Sequence, residues 1–279
     1  MTATTEAPVL AELRPARLAY RQAFLALLGR DLHLLRKGFW LFVLRTIMQP
    51  FLLVFVFTYV FPKIGQGVGG GGGEAAFTAT LIAGVVGLAI IFQGIQAVAL
   101  PLVQEFGVSK EIEDRVLAPL PTPMVGVQKI VTGLLQGLFA AALVFPIAAV
   151  VPFSPVHLKI NWAILITLAP LAGWVAGALG LVLGTNVQPF QVPVLFALFV
   201  LPLTFLGCVY YPWTALSAVP WLQWFVLVNP LVYMCEGFRA ALVGGVEHMS
   251  LWAVYGALIG FAIALTWVGV RGFARRVVT

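Results

Sequence analysis

The chain has 279 residues, a formal net charge of +6 and a mean hydropathy of +1.03. Apolar residues make up 61% of it and charged residues only 9%, where an average soluble domain carries about 25%. That balance excludes a single water-soluble core, because too little polar surface exists to cover it. It indicates an all-α polytopic membrane protein, with one transmembrane domain over residues 1–279.

The start, "MTATTEAPVLAELRPARLAYRQ", has no apolar stretch directly behind a basic flank, so it does not read as a secretory signal peptide. Residues 1–14 are expected to be a disordered tail. Residues 15–37 are expected to form an amphipathic helix on the cytoplasmic membrane surface. Leu25, Leu28, Leu32 and Leu35 follow helical spacing, with Arg30 and Lys37 on roughly the opposite side. An ordinary basic flank is the plainer alternative.

A helix needs about 20 apolar residues to cross a bilayer. Six spans satisfy this: 40–61, 75–104, 127–151, 162–185, 190–211 and 251–270. Each is bounded by charge, proline, glycine or a polar cluster. "GQGVGGGGGE", Gly65–Glu74, reads as a flexible outer linker, and no phosphate-binding G-x-x-x-x-G-K-[ST] occurs. Small residues four apart recur at Gly133 and Gly137, at Gly173, Gly177, Gly180 and Gly184, and at Gly256 and Gly260. They suit close helix packing, chiefly within one subunit.

The basic residues set the orientation. With both termini inside, the cytoplasmic side receives Arg14, Arg17, Arg21, Arg30, Arg36, Lys37, Arg45, Lys110, Arg115, Lys129, Arg271, Arg275 and Arg276, which is 13 of 16. Only Lys63, Lys159 and Arg239 fall elsewhere. These charges act as topology signals and contacts to membrane lipid, so no nucleic-acid partner is expected.

From Ile160 to Cys235 there is no Asp, Glu, Lys or Arg. Ion-coupled carriers keep ionisable groups in their spans, so this run argues against a stand-alone secondary carrier or channel for a hydrophobic solute, the main alternative. No Asp-rich or His-x-x-x-His pattern offers a metal site or covalent chemistry, and a membrane transferase is disfavoured. Cys208 and Cys235 read as small buried apolar residues, with their pairing left open. Gln93, Gln96, Gln136, Asn186, Gln188 and Gln191 read as interhelical hydrogen-bond partners, with lining of a substrate path as the sharper alternative.

Charge is concentrated instead in "QEFGVSKEIEDRVLAPLPTP", Gln104–Pro123, in the cytoplasmic loop 105–126. Glu105, Lys110, Glu111, Glu113, Asp114 and Arg115 are interleaved with Ile112, Val116 and Leu117. Lys110 to Leu117 is expected to be a short amphipathic helix able to dock on another protein, ended by Pro119, Pro121 and Pro123 ahead of the third span. A second unusual stretch, 213–245, is too apolar for a solvated loop and is broken by Pro220 and Pro230. A re-entrant helical hairpin on the outer side fits it. Trp213, Trp221, Trp224 and Tyr233 suit an interface depth, and Glu236 and Arg239 are spaced to pair along one helix. Mutual neutralisation of that pair competes with substrate contact.

"EFGVSKEIEDRVLAPLPTPMVGVQKI" resembles the cytoplasmic loop of ABC type-2 membrane permeases, in particular the drug-resistance (daunorubicin-type) and nodulation-factor exporters. "VNPLVYMCEGFRAALVGG" resembles that family's N-P-[LI]-x-Y-x-x-E-x-[FLI]-R stretch, with Asn229, Pro230, Tyr233, Glu236 and Arg239 in place. The resemblance spans essentially the whole chain. It implies the membrane half of a bacterial exporter in the plasma membrane, working as a dimer with a like or related permease. Two separate ATPase subunits would bind ATP and Mg, leaving this chain with no cofactor and no catalysis. The loop 105–126 would be the coupling element, and 213–245 an outer gate. A path without charge suits an apolar or amphiphilic cargo: a drug-like compound, a lipid or a lipid-linked glycan.

Overall fold

The computed structural model describes residues 16–64, 73–109, 120–152, 158–188, 191, 198 and 201–278. Every regular element among them is helical. Helix α1 is Ala16–Lys37, and α2 is Phe39–Lys63. Then come α3, Gly73–Gln104; α4, Thr122–Val150; and α5, Trp162–Asn186. Three shorter helices follow: α6, Leu201–Phe205; α7, Pro220–Phe225; and α8, Pro230–Leu242. Helix α9, Leu251–Val278, closes the chain.

Five of these, α2 to α5 and α9, are long and apolar enough to cross a membrane. The expected fifth span, 190–211, is described only at 191, 198 and 201–211, where it consists of α6 and a run of turns. A sixth crossing is counted only if the bent pair Pro220–Val228 and Pro230–Leu242, which meet at 98°, is taken as one. Alone, α8 has 13 residues, about 20 Å of helix against a hydrocarbon core of about 30 Å.

Three expected boundaries are corrected. Helix α4 starts at Thr122, so Pro123 lies in its first turn instead of breaking the chain ahead of it. Proline suits that position, because its missing N–H has no helical acceptor anyway. Residues 105–109 are not loop but a π-helical extension of α3. Helix α9 runs eight residues past the expected end at 270. Its Arg276 donates through Nη1 to the carbonyls of Gly184, Thr185 and Val187 at 3.2, 2.7 and 3.1 Å. That satisfies carbonyls that the end of α5 leaves without helical donors.

Helix α3 is the hub. Of its apolar window 83% is buried, against 22% for α2 and for α9. It packs on α4, α5 and α8, and α5 packs on α4 and α9. Glycines make the closest of these approaches. A Cβ on Gly177 would stand 2.5 Å from the Ile130 carbonyl oxygen, and one on Gly94 2.5 Å from the Ala176 Cβ. A Cβ on Gly133 would stand 2.7 Å from its nearest neighbour, and one on Gly137, Gly173, Gly180 or Gly184 3.0 to 3.2 Å, so the expectation of packing within the subunit holds for them. Gly256 and Gly260 have nothing within 4 Å. Helix α1 packs against α4 with a face that includes Ala23, Phe24 and Asp31. Leu28 and Leu35 are half-buried on it, whereas Leu25 and Leu32 are exposed.

Candidate functional site

Two buried charge clusters lie at opposite ends of the helix bundle. The first joins α1, α3 and α4. Lys129 is 2% exposed, and its Nζ donates to Glu105 Oε1 at 2.9 Å and reaches Asp31 Oδ2 at 3.5 Å. Gln128 Nε2 donates to Asp31 Oδ2 at 3.0 Å and to Thr132 Oγ1 at 3.0 Å. Two carboxylates far apart in sequence thus share one ammonium. Burial of such a group is tolerated only with close partners. Glu105 opens the π-helical turn Glu105–Ser109, which leads straight into residues 110–119. The cluster therefore sits at the root of the charged loop. Lys110, Glu111, Ile112, Glu113, Asp114, Arg115, Val116 and Leu117 lie outside the described residues.

Between this cluster and the middle of α2 lies a cavity of about 730 Å³. A hydrogen-bonded ladder crosses one side of it. Thr46 Oγ1 donates to Gln93 Oε1, and Gln93 Nε2 donates to Gln136 Oε1, both at 3.2 Å. Arg45 donates to Gln96 Oε1. The glutamines expected to bridge helices do so at 93, 96 and 136. Asn186 instead bonds back to Val182 within its own helix.

The second cluster holds Glu236 and Arg239, both 0% exposed. Asn229 caps α8: its Oδ1 accepts from Leu231 N at 2.9 Å and its Nδ2 donates to Leu203 O at 2.8 Å. Pro230 takes the first helical position. Arg239 Nη1 then donates to Glu236 Oε1 at 2.6 Å. Its Nη2 donates to the carbonyls of Cys208 and, at 3.3 Å, of Val209. Cys208 holds φ +53°, a conformation rare outside glycine that costs roughly 1–2 kcal/mol. Hydrogen bonds from a charged donor, about 1.5–3 kcal/mol each, offset that cost. Glu236 also accepts from Trp213 N at 2.8 Å and Met249 N at 2.9 Å. The pair therefore ties the chain after α6 and the segment entering α9 to α8. Both its members are enclosed by protein.

The four aromatic residues expected at an interface depth differ in setting: Trp213 joins the cluster through its backbone N, and the other three make no hydrogen bond to the side chains of the pair. Trp213 donates from its indole to Gln223 O at 3.0 Å. Trp221 and Trp224, on α7, are each 70% exposed. Tyr233 is half-buried, with its ring 6.1 Å from Phe261. The two cysteines are free and fully buried. Sequence reasoning missed Asp31 and the true surroundings of Lys129 and Arg45, which it counted only as topology signals. For Lys129 and Arg45, a position several residues inside an apolar helix was the available clue.

Long apolar helices with charge held in two enclosed clusters define a polytopic membrane protein built around few polar contacts. A family model described as ABC-2 type transporter matches residues 22–243. The chain belongs to the ABC-2 type transporter family, the membrane subunits of ABC transporters. It is 29% identical over 225 residues to the inner membrane transport permease YadH of Escherichia coli strain K12, covering 79% of this chain and 84% of that protein. Proteins of the same name from Escherichia coli O157:H7 and Shigella flexneri match to the same extent.

Proposed function

We propose that this chain is the permease subunit of a bacterial exporter in the inner membrane, with both termini cytoplasmic. It would pair with a second permease and with two separate ATPase subunits that bind ATP and Mg. The cargo is apolar or amphiphilic: a drug-like compound, a lipid or a lipid-linked glycan. Residues 105–126 couple it to the ATPase. Residues 213–245, with Trp213, Trp221, Trp224, Asn229, Tyr233, Glu236 and Arg239, form the outer gate.

The observation that carries this reading is the ion cluster at the root of the loop. Glu105 belongs both to the proposed docking element and, through Lys129, to α1 and α4. A push on the loop would therefore reach three helices through short polar contacts. The basic bias supports the orientation, and the name of the Escherichia coli relative supports the membrane.

The test is capture of the ATPase subunit by detergent-solubilised permease across a salt series. Interface energy concentrates in buried anchors, while rim charges set encounter and partner choice. Reversing Glu111, Glu113 and Asp114 to lysine should weaken capture in a salt-dependent way. Val116→Asp or Leu117→Asp should abolish it at any salt, by burying an unpaired charge. Full recovery in both classes would make the loop a solvated connector. Single cysteines at Gly69 and Ser109, with Cys208 and Cys235 removed, should label from opposite sides of the membrane; labelling from one side would overturn the orientation.

A further inference from the structure

Arg45 lies six residues past Phe39 in α2, about 9 Å along the helix. An arginine that served only as a topology signal would stretch toward the end of the helix and water. This one instead donates to Gln96 of α3. Gln96 is nine residues before Glu105, roughly 13 Å along α3 from the buried ion cluster. Gln96 is the hydrogen-bond partner that Arg45 has among the described residues, and it is a neutral amide. A guanidinium carries five donors and a charge that an amide cannot balance. Arg45 is an exposed charge within the apolar helix α2, and an ionisable group in such a helix points to a function.

Arg45 also stands where two cavities of different character adjoin. On one side is the cavity of about 730 Å³, of mixed lining, whose wall near Arg45 is made by Gln93, Gln96 and Gln136. On the other is an open apolar groove of about 680 Å³ between α2 and α6, lined by residues such as Met48, Leu52, Leu201 and Phe205. Both volumes lie in the range of small-molecule sites, about 300–1,000 Å³. Asp31 and Glu105 occupy the far end of the first cavity. There they are engaged by Lys129, which also lines that end, whereas Arg45 stands beside the neutral amide of Gln96.

We infer that Arg45 receives the anionic headgroup of an amphiphilic cargo. The amides of Gln93 and Gln96 surround the headgroup, and the hydrocarbon chain lies in the apolar groove against α2 and α6. This rests on the reading of the chain as an exporter permease, and narrows its cargo to molecules that combine one anionic group, a phosphate or carboxylate, with a long apolar chain. Charge-assisted, two-pronged contact to such an oxyanion is what a guanidinium provides and an ammonium does not.

The test uses the full chain in phosphatidylcholine nanodiscs, with empty nanodiscs to subtract partitioning. The probes are radiolabelled hexadecyl phosphate and hexadecanol, which share a chain and differ in the headgroup. Saturable binding of hexadecyl phosphate is expected, with hexadecanol at least tenfold weaker. Arg45→Gln should lower hexadecyl phosphate affinity about tenfold or more and leave hexadecanol unchanged, and Arg45→Lys should fall between. Leu52→Trp, which leaves the charge and fills the apolar groove, should weaken hexadecyl phosphate more than octyl phosphate. If Arg45→Gln fails to fold, Arg45→Lys and Leu52→Trp still decide the matter. Equal binding of the two C16 probes, or unchanged affinity in all three variants, would overturn the inference. So would full displacement by phosphatidylglycerol at bilayer concentrations, which would mark a resident-lipid site instead. These outcomes are independent of ATPase capture. A chain that captures ATPase but does not prefer the anion refutes this inference alone; one that prefers the anion but captures no ATPase refutes the exporter reading alone.

Discussion

Glu236 accepts from three donors, Arg239 Nη1, Trp213 N and Met249 N, and all of them lie in a fully enclosed cluster. Glu236→Ala would strand the guanidinium, at about 3–5 kcal/mol for breaking a buried pair from one side. It would also strip two backbone N–H groups of their acceptor, at about 1–3 kcal/mol each. The total approaches the whole stability of a typical domain, about 5–15 kcal/mol. Arg239→Ala leaves Glu236 with its two backbone donors and costs two carbonyls their donor. Under-satisfied carbonyls are tolerated better than orphaned N–H groups, so this variant should stay near about 3–5 kcal/mol. The double variant Glu236→Gln with Arg239→Gln removes both charges and keeps an acceptor for a backbone N–H, so it should be milder than either single change. The protein carries its own reporter: Cys208 and Cys235 are its two cysteines, both 0% exposed and both beside this cluster. A thiol-reactive fluorogenic dye in a thermal ramp will therefore stay dark until this region opens. The expected order of midpoints, from high to low, is wild type, double variant, Arg239→Ala, Glu236→Ala. A Glu236→Ala midpoint equal to wild type, or above that of Arg239→Ala, would refute the acceptor argument.

Lys129→Met keeps the side-chain length but takes the buried ammonium from Asp31 and Glu105, a loss of up to about 3–5 kcal/mol. Adding Glu105→Gln should recover part of it, read as a rise in the same thermal midpoint; no recovery would mean that the two do not act as a pair. Gly177→Ala forces a methyl to 2.5 Å from a backbone carbonyl and should cost about 1–3 kcal/mol by overpacking. Gly256→Ala meets nothing within 4 Å and should be neutral within about 0.5 kcal/mol, or slightly stabilising. Equal midpoints for the two glycine variants would sink the packing account of α4 and α5.

Where an apolar run ended at a signal with one meaning, the sequence was legible. Helix α5 was placed within a residue at each end, because Asn161 caps it and Asn186 closes it. Proline was the ambiguous signal. Pro121 and Pro123 read as breakers, yet Pro123 sits in the first turn of α4, the one place where the helix has no use for its missing N–H. Arginine misled at the other end of the chain. Arg271 closed the apolar run, but basic residues are favourable in a last helical turn, and Arg276 finds the carbonyls of α5. The short-range pair Glu236–Arg239 could be read from its spacing alone. Its enclosure could not, because Trp213 N and Met249 N reach Glu236 from 23 and 13 residues away. The cluster around Lys129 was harder still, since Asp31 lies 98 positions distant and nothing local names the lysine's partner. A lysine seven residues inside α4 nonetheless implies a partner, because an isolated ammonium at that depth would give up its charge or its position. Burial thus requires a counter-charge before any fold is known, and only the packing of α1 and α3 on α4 decides which carboxylates supply it.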